Sequence, residues 1–190
     1  SGRMEDGSDQ MGKSMTFTAA QVSSSSGGAR LPHPIPYQGS KRQLASEILA
    51  NAGTFQFRTL YEPFAGSGAI TIAAAARQLA AHYALNDSFG ALAALWQRMV
   101  GEPQTLADQY RMLWEEQFRD DPIAHYLKTR DRFNATGDPA MLLYLLARCV
   151  KNAPRFNKAG AFTQSPDKRR HGMKPEQMRR EILGVWALLR

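Results

Sequence analysis

The stretch from residue 57 to residue 88 constrains the fold of this 190-residue chain more than any other. A short apolar run over 57–61 leads into a glycine turn, and a helix pattern of small residues follows over 69–80. A second short strand over 82–85 ends in Asn86-Asp87-Ser88, and a further helix begins near Phe89. This β-α-β-α order predicts an α/β fold that begins a doubly wound parallel sheet.

The turn itself predicts a ligand site. Gly66 and Gly68 let a ligand approach the backbone at a helix N-terminus, and Asp87 follows Glu62 by about 25 residues, near the ~20-residue spacing at which an acid binds a ribose. The turn lacks Gly-Lys-Ser/Thr, and Glu62 would repel a polyphosphate. A cofactor with a positive centre and no phosphate fits better, and S-adenosyl-L-methionine is the obvious candidate. The alternative is an ordinary strand-to-helix turn without a ligand.

Charge is distributed unevenly along the chain. The net charge is +7, and residues 148–190 hold eleven Lys and Arg but only three acids. Such a block suits a polyanion such as nucleic acid, although a solvated charged face would have the same composition. The lone Cys149 excludes an internal disulfide and a Cys-rich zinc site, so we expect no metal and a cytoplasmic protein.

The remaining segments follow from composition and periodicity. Residues 1–30 are typical of a flexible tail or a cloning remnant, and Ser40 is a candidate N-cap for a helix that presents Leu44, Ile48 and Leu49. Helices are predicted over 103–118, 121–133, 141–150 and 175–189, with a loop or ribbon over 151–174. The Asp121-Pro122 and Asp138-Pro139 steps are interpreted as helix starts and turns.

Four ordered segments carry a resemblance to a known family: Pro36-Tyr37-Gln38-Gly39-Ser40-Lys41, Glu62-Pro63-Phe64-Ala65-Gly66-Ser67-Gly68, Asn86-Asp87, and Arg155-Phe156-Asn157-Lys158-Ala159-Gly160-Ala161-Phe162-Thr163. Together they resemble the Dam-type DNA adenine-N6 methyltransferases over roughly residues 34–180. The resemblance implies a Rossmann-like sheet, of which only the first strands are present, with an inserted helical DNA-recognition subdomain. It divides the chain into a tail (1–30), a cofactor-binding half (31–102), a DNA-recognition subdomain (103–175) and a terminal helix that returns to the core (176–190).

The resemblance also implies residue roles. Tyr37 would lie against the cofactor, Lys41 would contact its carboxylate end, and Asp87 would hold the ribose hydroxyls. The full predicted cofactor set is Tyr37, Lys41, Glu62, Phe64, Ala65, Gly66, Gly68 and Asp87. The predicted contacts with double-stranded DNA are Arg155, Asn157, Lys158, Lys168, Arg169 and Arg170, which imply association with the nucleoid. Alternatives remain open, since Tyr37 and Lys41 could be packing and surface residues, Asp87 a helix cap, and Arg155 and Asn157 loop-shaping residues.

One part of the family pattern is missing. The Asp/Asn-Pro-Pro-Tyr motif, which binds the adenine amine and stacks the flipped base, occurs nowhere in these residues. We therefore assign no catalytic residue. The favoured hypothesis is a split enzyme, in which a second subunit supplies this motif and the remaining strands. The alternative is a truncated or inactive methyltransferase-like module that only binds DNA.

Overall fold

The computed structural model describes residues 15–18, 30–52 and 56–190. Within these ranges the protein has three β-strands and seven α-helices. The strands are β1 (Met15–Thr18), β2 (Phe57–Glu62) and β3 (Ala80–Leu85). The helices are α1 (Ala45–Asn51), α2 (Ala69–Ala76), α3 (Gly90–Gly101), α4 (Pro103–Glu116), α5 (Pro122–Thr136), α6 (Pro139–Arg148) and α7 (Pro175–Leu189).

The sheet is small and mixed, in the order β1-β3-β2. Strands β2 and β3 run parallel, and their register pairs Phe57 with Ala80 and Glu62 with Leu85. Helix α2 connects them, so the predicted β-α-β unit is confirmed. Because Glu62 and Leu85 end at the same edge of the sheet, the turn after β2 and Asp87 after β3 come together there.

Strand β1 lies within the segment whose composition predicts a tail. It runs antiparallel to β3, with Phe17 opposite Tyr83, and Phe17 packs against the core. Residues 15–18 therefore form a strand instead of a tail. Pairing with β3 is a long-range contact that four residues of local pattern do not reveal. The rest of the predicted tail, 1–14 and 19–29, lies outside the described residues.

Small residues position α2 close to the sheet. Ala73, Ala74 and Ala75 are buried beside the fully buried Ile72, which lets the helix backbone approach the strands. Helix α6 is buried along nearly its whole length, as its apolar composition predicts, and α3, α4 and α5 surround it. Helix α7 packs against α2, α3 and α4, and so joins the sheet to the helical part.

Prolines and aspartates set several helix starts. Asp121 accepts a hydrogen bond from Ile123 N, and Asp138 accepts from the backbone N–H groups of Ala140 and Met141. Both aspartates precede a proline at the first helical position, where its missing N–H costs nothing. The interpretation of these two Asp-Pro steps as helix starts is confirmed.

The helix predicted after Ser40 differs from expectation. A short 3-10 turn covers Lys41–Gln43 and α1 begins only at Ala45. Ser40 makes no side-chain cap hydrogen bond, because its hydroxyl instead lies 2.7 Å from the hydroxyl of Ser67 in the glycine turn. Leu44 and Ile48 remain 48% and 42% exposed, whereas Leu49 is buried. No described helix is long and apolar enough to cross a membrane.

Candidate functional site

The glycine turn between β2 and α2 forms the base of the candidate site. Gly66 and Gly68 have φ values of +51° and +62°, a left-handed region that glycine adopts without strain. Ala65 N donates to Asn86 O at 2.8 Å, which ties the turn to the end of β3. The indole N–H of the fully buried Trp96 donates to Gly66 O at 3.1 Å. The turn is therefore held from two sides in one conformation.

The Glu62 side chain accepts hydrogen bonds at the N-terminus of α2. Its Oε2 accepts hydrogen bonds from Thr71 N at 2.9 Å and from Thr71 Oγ1 at 2.5 Å. Burial raises the pKa of Glu62, and the hydrogen bonds from Thr71 oppose that rise. A carboxylate already occupies the place at which a helix N-terminus would bind phosphate. This arrangement disfavours a phosphate at the turn and leaves a negative charge beside it.

Asp87 joins the turn to the start of α3. Its Oδ2 accepts from Gly66 N at 2.9 Å and its Oδ1 accepts from Phe89 N at 3.0 Å. Both oxygens thus order backbone, one in the glycine turn and the other at Phe89, the residue that precedes α3. Each carboxylate oxygen can accept more than one hydrogen bond, so Asp87 retains acceptor capacity toward a ligand.

A cavity of about 210 Å³ opens beside these groups. Its lining includes every predicted cofactor residue except one: Tyr37, Lys41, Glu62, Phe64, Ala65, Gly66 and Asp87. The exception is Gly68, which is buried beneath the turn, where an added Cβ would lie 2.4 Å from Trp96 Cζ2. The structure therefore places Gly68 in a packing position rather than in the wall.

The structure adds four residues to the lining that the sequence interpretation did not assign: Gly39, Ser40, Ser67 and Ala69. Each lies inside or directly beside one of the two motif segments, so inspecting the motifs' remaining positions would have found them. The Ser40–Ser67 hydroxyl contact joins the two segments. Their meeting is a tertiary fact, since 27 residues separate the two serines.

The electrostatics of the cavity suit a ligand of mixed charge. Glu62 and Asp87 supply two carboxylates, and Lys41 supplies an ammonium on the opposite segment. Burial raises the pKa of Tyr37, and the nearby charge of Asp87 raises it further. A ligand with a cationic centre, hydroxyl groups and a carboxylate would find a partner for each.

The predicted DNA contacts lie on the segment between α6 and α7. Arg155, Lys158, Lys168 and Arg169 are exposed. Asn157 is exposed too, but its Oδ1 accepts from the backbone N–H groups of Ala159 and Ala161 at 3.0 Å each. The Asn157 side chain therefore shapes this turn, as the alternative interpretation expects.

Arg170 is partly neutralised at the other end of the segment. Its guanidinium contacts Asp167 Oδ2 at 2.7 Å, and the Asp167 side chain also accepts from Arg169 N. These contacts with Arg169 and Arg170 lower the pKa of Asp167. Arg169 and Lys168 consequently present the stronger net positive charge here.

Polar side chains from α4 to α6, most of them buried, hold this segment in place. Arg148, which is 1% exposed, donates to the carbonyls of Asp167 and Arg170. Asn134 binds both Phe162 N and Phe162 O. Three further donors serve other carbonyls: Tyr110 to Met173, Gln117 to His171, and Tyr126 to Gln164. The sequence interpretation missed these residues, whose only signal is a polar group on an otherwise apolar helical stripe.

Two contacts connect the basic segment, residues 149–174 between α6 and α7, to the cavity. The rings of Phe156 and Phe89 pack with centroids 4.5 Å apart, and Phe89 follows Asp87 closely in sequence. On the other side, Gln38 N donates to Asn152 O at 2.8 Å. The cavity and the basic segment are therefore neighbouring parts of one surface.

Comparison with known proteins agrees with this geometry. The family model described as D12 class N6 adenine-specific DNA methyltransferase matches residues 37–183. No curated protein matches the chain. The family match confirms the predicted adenine methyltransferase relationship. Within the described residues, no cluster of three or more His, Cys, Asp or Glu side chains is suited to a metal ion.

Proposed function

Because the chain belongs to the D12 class of N6 adenine-specific DNA methyltransferases, we propose that it binds S-adenosyl-L-methionine in the cavity beside Gly66 and DNA along the segment between α6 and α7. The cofactor, when bound, supplies an electrophilic methyl group, and the acceptor is the exocyclic amine of adenine. The observation that carries this proposal is the convergence of seven predicted cofactor residues on one cavity.

The donor set of the cavity fits this cofactor. Asp87 would accept hydrogen bonds from the ribose hydroxyls, and Lys41 would attract the carboxylate of the methionine part. Glu62 occupies the N-terminus of α2 and leaves negative charge where a sulfonium or ammonium group is favoured. Ala65 and Gly66 offer a floor without bulky side chains, while Tyr37 and Phe64 offer aromatic surface.

Methyl transfer needs a group that these residues lack. The amino lone pair of adenine is delocalised into the ring, so it attacks a methyl group poorly unless a hydrogen-bond acceptor binds the amine. The Asp-Pro-Pro-Tyr motif serves that purpose in the adenine methyltransferases that this chain resembles. The motif does not occur in the sequence. We propose that a second polypeptide supplies this motif and that the active enzyme is the pair.

The β2 side of the sheet supports a partner. Among the described residues, β2 pairs only with β3, so its other edge offers unpaired backbone groups. Near that edge Tyr61 and Phe64 are 72% and 79% exposed. Exposed apolar side chains beside an unpaired strand edge are typical of an interface. A strand added there would also enclose the cavity, whose 210 Å³ is below the ~300–1,000 Å³ of most small-molecule sites.

Binding measurements test the proposal in two arms. Calorimetry with S-adenosylmethionine on wild type and Asp87→Ala should show cofactor binding that the variant loses, with DNA affinity unchanged. Fluorescence anisotropy with duplex DNA should show weaker binding by Lys168→Ala/Arg169→Ala and a salt slope smaller by about two, one for each lost phosphate contact. Arg111→Ala/Arg179→Ala, which removes equal charge from α4 and α7, is the matched control and should leave the slope nearly unchanged.

Activity measurements separate the split enzyme from its alternative. Methyl transfer to adenine only after addition of a polypeptide with an Asp-Pro-Pro-Tyr-like motif supports the split enzyme. DNA binding that is indifferent to S-adenosylmethionine, with no transfer in any mixture, supports the inactive module. Absence of both cofactor and DNA binding by wild type contradicts the proposed function as a whole.

A further inference from the structure

The short turn Val150–Asn152, at the start of the basic segment just after α6, has an unusual backbone. Lys151 and Asn152 have φ values of +56° and +51°. Two successive non-glycine residues in the left-handed region are uncommon, and asparagine is among the few residue types that tolerate it well. Such conformations persist only where surrounding contacts over-determine them, and they often mark a functional constraint.

Three hydrogen bonds determine the conformation of Asn152. Its Nδ2 donates to Leu146 O at 2.9 Å, which satisfies a carbonyl at the C-terminus of α6. Its backbone N donates to Cys149 O at 3.2 Å, and its carbonyl accepts from Gln38 N at 2.8 Å. The side chain thus fixes the turn on α6, and the left-handed backbone directs the carbonyl to a segment more than a hundred residues away.

The donor of that long-range contact, the backbone N–H of Gln38, belongs to the cavity wall. Gln38 separates Tyr37 from Gly39, and both of these residues line the cavity together with Lys41. The backbone N–H of Gln38 makes no other hydrogen bond in the described part of the chain. The Asn152 carbonyl therefore anchors the middle of the wall segment to the helical part of the protein.

The same turn also begins the basic segment. Ala153 O accepts from Gln164 Nε2 at 2.8 Å, and Arg155 O accepts from Thr163 N at 2.8 Å. These bonds link the first residues after Asn152 to the returning half of the segment. A displacement of Asn152 would shift the cavity wall on one side and the base of the basic segment on the other.

We propose that Asn152 is a positioning residue for the methyltransferase, which holds the Tyr37–Lys41 wall of the cofactor cavity in register with the DNA-binding segment. This inference rests on the proposed function of the cavity. Asn152 does not line the cavity, so its effect on cofactor affinity passes through Gln38. The amide side chain and the tolerance of positive φ are both required, and asparagine combines them.

Three variants separate these two requirements. Asn152→Gly keeps the left-handed backbone but loses the bond to Leu146 O, whereas Asn152→Ala loses the bond and also strains the backbone. Gln78→Ala is the matched control, because Gln78 has a φ of +55° in the turn between α2 and β3, outside the cavity lining. Calorimetry with S-adenosylmethionine and anisotropy with duplex DNA are run on the purified chain at a temperature where every variant is fully folded by circular dichroism.

We expect cofactor affinity to fall in the order wild type, Asn152→Gly, Asn152→Ala. The first step should be about three- to tenfold, the typical worth of one hydrogen bond, and DNA affinity should fall in the same order. Gln78→Ala should lower the melting temperature as Asn152→Ala does, while both affinities stay at the wild-type value.

Equal cofactor affinity in wild type and both Asn152 variants would overturn the inference while leaving the proposed function intact. An affinity loss in Gln78→Ala as large as in Asn152→Ala would overturn it too, because general destabilisation would then explain both. Failure of wild type itself to bind S-adenosylmethionine would instead contradict the proposed function, and this inference with it.

Discussion

Gly68→Ala is the substitution whose effect the structure specifies most directly. A Cβ on Gly68 would lie 2.4 Å from Trp96 Cζ2 and 2.5 Å from Trp96 Cη2. Trp96 is fully buried, and its indole N–H is committed to Gly66 O. The ring therefore has no free space into which it can move, and the new methyl group must displace a packed element.

Two terms add in this variant. Alanine at a φ of +62° costs about 1–2 kcal/mol, and overpacking a filled core costs about 1–3 kcal/mol more. We expect a loss of about 2–5 kcal/mol from a total stability that is typically ~5–15 kcal/mol. For a chain of this size each kcal/mol lowers the melting temperature by about 2–4 °C.

Gly66→Ala provides the matched control. Gly66 has a similar φ of +51°, but an added Cβ meets nothing within 4 Å. Both variants replace glycine by alanine, so their effects on the unfolded chain cancel in the difference. Gly68→Ala should be less stable than Gly66→Ala by about 1–3 kcal/mol, the overpacking term alone. Gly66→Ala should weaken cofactor binding more, because Gly66 lines the cavity.

Urea denaturation of the two variants measures the difference. In a Trp96→Phe background, which removes the two ring atoms that clash, the extra cost of Gly68→Ala should largely disappear. The reasoning is refuted if Gly68→Ala and Gly66→Ala have the same stability within about 0.5 kcal/mol. It is refuted equally if Trp96→Phe leaves the cost of Gly68→Ala unchanged.

Three further predictions follow from the titratable and buried polar groups. Burial and then the positive charge of Arg42 lower the pKa of His33 from 6.5 to about 4. The unfolded chain therefore takes up a proton at higher pH than the folded protein does, and stability should fall by about 1 kcal/mol as the pH is lowered from 6.5 to 4. Denaturation series on His33→Gln should lack this dependence, and an unchanged pH profile would contradict the prediction. Glu62→Gln should weaken S-adenosylmethionine binding about five- to tenfold at neutral pH, since the amide carries no charge; calorimetry that shows equal affinity would contradict the role of that charge. Arg148→Met removes both hydrogen bonds that Arg148 Nη1 donates to the carbonyls of Asp167 and Arg170, so stability should fall by about 1.5–3 kcal/mol and limited proteolysis after Lys168 should accelerate; a stable, protease-resistant variant would contradict the anchoring role.

Local pattern predicted the regular elements well. The apolar run, glycine turn and small-residue helix over 57–76 have one arrangement that satisfies their backbone and buries their apolar face, and the structure has it. Helix α7 occupies the predicted range Pro175–Leu189, because proline starts it and its apolar stripe recurs at helical spacing. These features depend on neighbours in sequence, which is why periodicity reveals them.

Features that depend on distant partners were not predictable in the same way. Strand β1 exists because β3 offers it a partner, although its own composition indicates a tail. Asn157 belongs to a recognisable motif, yet only the fold shows that its side-chain oxygen Oδ1 orders the turn at Ala159 and Ala161. Gly68 belongs to the predicted cofactor motif, but only the fold shows that the ring of Trp96 leaves no room for a Cβ there.

The sequence by itself determined the family, the parallel β-α-β unit and the residues that converge at its glycine turn, because order and spacing along the chain encode hydrogen-bond ladders and strand ends. Only the tertiary structure decided what each of those residues does. Glu62 turns toward the helix N-terminus, Asp87 braces the turn, and Asn152 joins the cavity wall to the basic segment. Such roles arise from contacts between segments far apart in the chain, where burial and hydrogen-bond satisfaction, not local propensity, select the conformation.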